Sequence, residues 1–226
     1  MPSPEPIALT SSQARVLGSL VEKEITTPDY YPLSLNALMN ACNQRSNREP
    51  VMDLNEDEVR NALGGLQDQR LAGPARGADG RVTKYEHWLG EAFNLSRAET
   101  SLLCLLLLRG SQTPGELRGR SERMHRFEEI ADVLGGLQKL MEREPALVAV
   151  LPRLPGTKES RYTHLLSDRA DAPSADDRAA ELARPVEVEP GNSTALEERV
   201  ARLEAVLAEL RQEMAGLRQK VDDLFA

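Results

Sequence analysis

The feature that most restricts what this chain can fold into is an internal repeat. Glu58-Val59-Arg60-Asn61-Ala62-Leu63-Gly64-Gly65-Leu66-Gln67 aligns without a gap on Glu129-Ile130-Ala131-Asp132-Val133-Leu134-Gly135-Gly136-Leu137-Gln138, with six of the ten positions identical. Upstream, Leu9-Thr10 corresponds to Leu95-Ser96, each opening an apolar helical pattern. Both openings read as capping boxes, Thr10 with Gln13 and Ser96 with Glu99, in which a hydroxyl accepts from an orphan amide and the longer side chain reaches back. Downstream, Lys84-Tyr85-Glu86-His87 corresponds to Arg161-Tyr162-Thr163-His164. Three matches in the same order mean a duplicated unit, and a unit used twice brings its local fold with it.

In the first copy, Val16, Leu17, Leu20 and Val21 recur with a helical period and mark a first helix. Leu35, Leu38, Met39 and Cys42 mark a short second one. A third is expected from about Glu56 to Arg70, with Val59, Ala62, Leu63 and Leu66 facing inward. A strand at Leu71-Ala72, an Asp79-Gly80 turn and a strand from Arg81 to Trp88 then form a hairpin. The second copy gives helices at Ser96–Arg109, Pro114–Arg118 and Phe127–Glu142, and strands at Ala146–Leu151 and Ser160–Leu166. Three helices followed by a β-hairpin is the order of a winged helix. The expected fold class is therefore mainly α with small β-hairpins (α+β), as two tandem winged-helix domains, 9–90 and 91–166. The first copy carries about 15 extra residues between its first and third helices, to which the sequence assigns no further structure.

Two more segments follow. Residues 167–193 are rich in Asp, Ala and Pro and read as an acidic, flexible linker. In residues 194–226, Leu196, Val200, Leu203, Leu207, Leu210, Met214, Leu217, Val221 and Leu224 alternate spacings of four and three. That is the seam of a coiled coil, and its mix of residues leans towards a two-stranded homodimer. In a parallel pair Arg199 meets Glu204 and Glu213 meets Arg218, each pair worth roughly 0.5 kcal/mol because it is exposed. A helix folded back on the body is the other reading of the same pattern.

A long stretch in the first copy, Ile25-Thr26-Thr27-Pro28-Asp29-Tyr30-Tyr31-Pro32-Leu33-Ser34-Leu35-Asn36-Ala37-Leu38, resembles the YceH-like bacterial proteins. The resemblance continues through Asn40-Ala41-Cys42-Asn43-Gln44-Arg45-Ser46-Asn47-Arg48-Glu49-Pro50-Val51. It recurs in Thr113-Pro114-Gly115-Glu116-Leu117-Arg118 and Arg120-Ser121-Glu122-Arg123-Met124-His125, and covers about residues 9–166. It implies a tandem winged-helix fold and no established activity, so it leaves function open.

Charge limits the functional classes. Residues 1–90 carry 9 Lys/Arg against 12 Asp/Glu, residues 91–166 carry 11 against 10, and residues 167–226 carry 8 against 14. No segment has the basic excess that neutralises phosphates in a typical duplex-binding domain. A helical projection puts Asn61, Gly64, Gly65 and Asp68 outward on one third helix, and Asp132, Gly135, Gly136 and Lys139 outward on the other. Base-reading side chains are mainly Arg, Lys, Asn and Gln, so these faces are poor groove readers. Paired helical glycines cost roughly 1 kcal/mol each relative to Ala. Gly64, Gly65, Gly135 and Gly136 are therefore candidate protein contacts, or relics of the duplication. The candidate phosphate or DNA contacts are Arg45, Arg48, Arg76, Arg81, Lys84, Arg118, Arg120, Arg123 and Arg126, with solvated or salt-bridged arginines as the competing reading.

No Cys/His spacing, Walker loop or nucleophile motif is present. His87 and His164 hold equivalent strand positions, which suggests a structural role. Cys42 and Cys104 sit in apolar helical patterns and read as reduced core residues. The expectation is a cytoplasmic, non-enzymatic homodimer with no catalytic residues, cofactor, metal or membrane segment. Its partner is duplex DNA in the leading reading, and another protein if the domains act as interaction adaptors.

Overall fold

The computed structural model describes residues 7–75, 82–152 and 159–167, all within the unit Met1–Ala172. The heptad seam, the acidic linker beyond Ser167, both wing tips, Arg76 and Arg81 lie outside the described residues.

The first repeat opens with α1 (Ser11–Thr26), capped by the reciprocal Thr10–Gln13 box. A 3-10 turn at Pro28–Tyr30 leads into a short strand β1 (Leu33–Ser34) and α2 (Leu35–Cys42), whose cap is the Ser34 hydroxyl. The segment 43–55 has no regular structure; Asn55 ends it by capping α3 (Glu56–Asp68), with Glu58 closing the box. Strands β2 (Ala72–Pro74) and β3 (Lys84–His87) follow. They form an antiparallel sheet in the order β1-β3-β2, with Leu33 opposite Tyr85 and Ala72 opposite His87.

A short helix α4 (Leu89–Phe93), not anticipated from sequence, joins the repeats and ends at Asn94 in the left-handed region, φ 47°. The second repeat then gives α5 (Arg97–Arg109), α6 (Pro114–Ser121), α7 (Ile130–Met141) and the hairpin β4 (Val148–Val150) with β5 (Tyr162–His164). Here an isolated bridge from Gln112 to Tyr162 stands where β1 stands in the first repeat. Among the described residues the fold is thus seven helices with two small antiparallel sheets, in the same element order twice. α7 begins at Ile130, not at Phe127 as the sequence pattern suggested.

The first helices of the two repeats bring the copies together. Every residue of α5 from Glu99 to Leu108 is buried. Such a helix needs cover all round. One side packs on α6 and α7 of its own repeat and the other on α1. Gly18 lets α1 come close, since a Cβ there would lie 2.9 Å from the Leu108 side chain and 3.3 Å from Leu107. At the same crossing the Cys104 thiol donates to the Gly18 carbonyl at 3.3 Å. Leu9 and Leu166, the outer ends of the two repeats, are also joined, Leu9 N donating to Leu166 O at 2.6 Å. The buried residues of both repeats consequently form one continuous apolar cluster. Cys42 and Cys104 belong to it as free, buried thiols, and burial pushes both of their pKa values up.

Candidate functional site

The arginines singled out from sequence take very different positions. Arg48 is fully buried at its side chain and grips Glu22 of α1 with both ends of its fork, at 2.6 and 3.2 Å. Its Nε and Nη2 also donate to the Ala41 carbonyl at 3.0 and 2.9 Å, satisfying an acceptor at the open end of α2. Arg48 is therefore a fastener and not a phosphate contact, because every donor is already committed inside the fold. Burial raises the pKa of Glu22, but the Arg48 pair and nearby Lys23 outweigh it, and the carboxyl lies below its ordinary value.

Arg118 is similarly engaged, donating to the carbonyls of Phe127 at 3.3 Å and Glu128 at 2.6 Å. It holds the segment that leads into α7. Arg120 donates to the Gln112 side chain at 2.8 Å and stands 3.7 Å from Glu116. Arg126 makes an exposed pair with Glu128 at 3.5 Å. Arg45, Lys84 and Arg123 are exposed and retain the character of surface cations.

Two arginines that the sequence did not flag matter more to the architecture. Arg15, only 2% exposed, donates to the Cys42 carbonyl at 3.1 Å and to the Pro50 carbonyl at 2.5 Å. Burial, with Arg48 beside it, pushes its pKa down to about 10. Arg109, at the end of α5, donates to the Asn47 side chain. Burial and then the charge of Arg120 lower its pKa. The Glu49 amide donates to the Leu108 carbonyl at 2.9 Å. The arginine-bearing segment of each repeat thus reaches the C-terminal end of α5, with Arg109 between them. Arg15 could have been suspected only from its place on the inner face of a helix otherwise lined by Val16, Leu20 and Val21.

The four glycines divide within each pair. A Cβ on Gly64 or Gly135 would meet nothing within 4 Å. A Cβ on Gly65 would lie 2.0 Å from the Gln13 side chain, and one on Gly136 would lie 2.7 Å from Leu102 Cδ1. Gly65 and Gly136 thus face the first helix of their own repeat, and the outward projection made from sequence does not hold for them. Each third helix turns by about 100° per residue, which carries the second glycine of a pair round to the core. On the outward side α3 exposes Arg60, Asn61, Gly64, Gln67 and Asp68, and α7 exposes Ala131, Asp132, Leu134, Gly135, Gln138 and Lys139. Arg60 is occupied by Glu56 at 2.6 Å.

His87 has its ring held at both nitrogens. The Leu89 amide donates to Nδ1 at 3.2 Å, which leaves the proton on Nε2 to donate to Glu24 at 2.7 Å. His87 N in turn donates to the Tyr31 hydroxyl at 2.7 Å. An open cleft of about 1030 Å³ lies between the repeats, over Leu71, Trp88, Phe93 and Leu147. Arg143 crosses it to donate to the carbonyls of Phe93 and Asn94, at 2.5 and 3.0 Å. Among the described residues, no three His, Cys, Asp or Glu side chains are grouped to hold a metal ion, and no helix is long and apolar enough to cross a membrane.

Residues 9–157 match a family described as Protein of unknown function, DUF480. A UPF0502 protein of Koribacter versatilis is 56% identical over 220 residues, covering 96% of this chain and 97% of its own. A UPF0502 protein of Pelobacter propionicus is 50% identical over 216 residues, covering 95% of each. One from Shewanella sp. (strain ANA-3) is 45% identical over 222 residues, covering 96% of this chain and 98% of its own. With a match spanning most of the helical body and relatives this similar over nearly their whole length, the chain belongs to the DUF480 family.

Proposed function

We propose that this is a non-enzymatic, cytoplasmic tandem winged-helix protein that acts through protein contacts made by its third-helix faces, as a homodimer joined by the C-terminal heptad seam. The order helix, edge strand, helix, helix, hairpin in both repeats supports the winged-helix reading. The observation that carries the contact reading is the internal use of Arg48 together with the bare, partly acidic outward faces of α3 and α7. A helix that enters a groove needs donors for base edges and cations for phosphates. Here the central outward positions are Gly64 and Gly135, flanked by Asp68 and Asp132.

The second reading, a DNA-associated regulatory or architectural protein, is favoured by one observation. The charge of Arg120 depresses the pKa of Arg109, exposed Arg123 follows Arg120 in sequence, and exposed Arg45 precedes Asn47, the partner of Arg109. Titration of a random duplex with the full chain across a salt series separates the two. Protein-contact function predicts no binding that weakens steeply with salt. Micromolar or tighter binding with a steep salt slope, lost on replacing Arg45 and Arg123 by Ala, would put the DNA reading first.

A further inference from the structure

The same positions of the repeat have opposite fates in the two copies. Val59 and Leu63 of α3 are 0% and 4% exposed, whereas their counterparts Ile130 and Leu134 of α7 are 44% and 41% exposed. The cause lies in where each helix starts. α3 begins three residues ahead of Val59, and Leu54, just outside the Asn55 cap, is buried where a hydrophobic staple would pack. Asn43 holds Leu54 in place by accepting from its amide and donating to its carbonyl, both at 2.8 Å. α7 begins at Ile130 itself, and the residue outside its cap is the exposed Glu128. The second repeat therefore exposes an apolar edge that the first repeat covers with its own chain.

The rest of the α7 surface says what fits there. At about 100° per residue, Ile130, Leu134 and half-buried Met141 share one edge of the helix, and Asp132 and Lys139, seven residues apart, share the other. Between the two edges lie Ala131, Gly135 and Gln138, with open space over Gly135. We propose that α7 packs antiparallel against α7 of a second copy of this chain, about a two-fold axis near Gly135. A two-fold operation of this kind sets the same edge of both helices side by side with their directions reversed. Asp132 of each copy then meets Lys139 of the other, the apolar edges adjoin, and the bare glycines let the helix axes approach. A parallel pair would instead set the Asp132 and Lys139 edge of each copy beside the apolar edge of the other, leaving both charges without a partner.

The inference rests on the reading of the third helices as contact faces, and it names the partner of one of them. A single helix pair is smaller than the roughly 1,200–2,000 Å² of a stable interface. The homodimer proposed above would supply the rest of the buried area.

The test uses the full chain with Gly135→Cys, a position with room for a side chain, in the presence of the two buried native thiols. Mild oxidation is expected to link position 135 of two copies. Adding either Asp132→Lys or Lys139→Asp should slow that linkage about tenfold, because both ion pairs become repulsive. Mixing the two charge-reversed proteins should restore it between unlike chains, which a folding defect could not do. Absent linkage, or linkage indifferent to charge reversal, overturns the α7 pair while leaving the contact-face reading to stand with another partner. If the reversals instead change affinity for duplex DNA, the contact-face reading falls as well.

Discussion

Single residues in this fold are used more for fastening than for display. Arg48 is the strongest case, because its guanidinium satisfies a carboxylate on one helix and a carbonyl at the end of another. Arg48→Ala should lower stability by about 3 kcal/mol in urea unfolding, since it empties a fully buried site and leaves the Ala41 carbonyl without its donor and half-buried Glu22 with Lys23 alone. Arg45→Ala, at an exposed site only three residues away, should stay within about 0.5 kcal/mol. Equal effects would mean that Arg48 is not the fastener described. Glu22 also makes stability depend on pH. Its folded pKa is depressed, so its contribution is complete above the ordinary carboxylate value of 4.5 and is lost as pH falls below it. Thermal melts of the Glu22→Gln variant should accordingly show a shallower loss of stability below that value than the parent chain.

At the scale of elements, each third helix carries one glycine that is needed and one that is not. Gly64→Ala meets open space and should stabilise the chain by about 0.4–1 kcal/mol through the entropy of the unfolded state, whereas Gly135→Ala should do so only where α7 is unpaired and should weaken the α7 pair. Gly136→Ala should destabilise it, because the added Cβ would stand only 2.7 Å from Cδ1 of the fully buried Leu102, which can withdraw only by disturbing the core. Gly65→Ala displaces Gln13, which closes the capping box of α1, and should loosen that helix's first turn. Chemical denaturation of the four variants reads the signs directly. Much of this scale was legible beforehand. The capping boxes at Thr10 and Ser96, the inward residues of α3 and the order of elements follow from short-range periodicity and hydrogen-bonding chemistry. The late start of α7, the short helix α4 and the inward turn of Gly65 and Gly136 were not legible. They depend on which neighbouring element wins the space, as where Phe127 is buried ahead of α7 while Ile130 is left at the surface.

At the scale of the molecule, the repeat was visible in the sequence, but the way the copies merge was not. An apolar run such as Leu102–Leu108 states that a helix is covered on all sides without stating by what. The answer is α1 of the other copy, admitted by Gly18. Because the two repeats share one cluster of buried residues, the described body should unfold in one cooperative transition by calorimetry. Two separated transitions between the repeats would contradict a shared core. For the candidate site, the sequence locates the segments but leaves Arg48 between a phosphate contact and a salt bridge, since composition cannot distinguish an arginine that meets phosphate from one that meets Glu22.

The central claim is that the third-helix faces meet protein and not the grooves of DNA. Hydrogen–deuterium exchange of the full chain, alone at rising concentration and then with excess random duplex at low ionic strength, tests it most directly. The account predicts that peptides covering Ile130–Met141 gain protection with protein concentration, and that the duplex protects neither α3 nor α7. Protection of both third helices by the duplex, with no dependence on protein concentration, would contradict it.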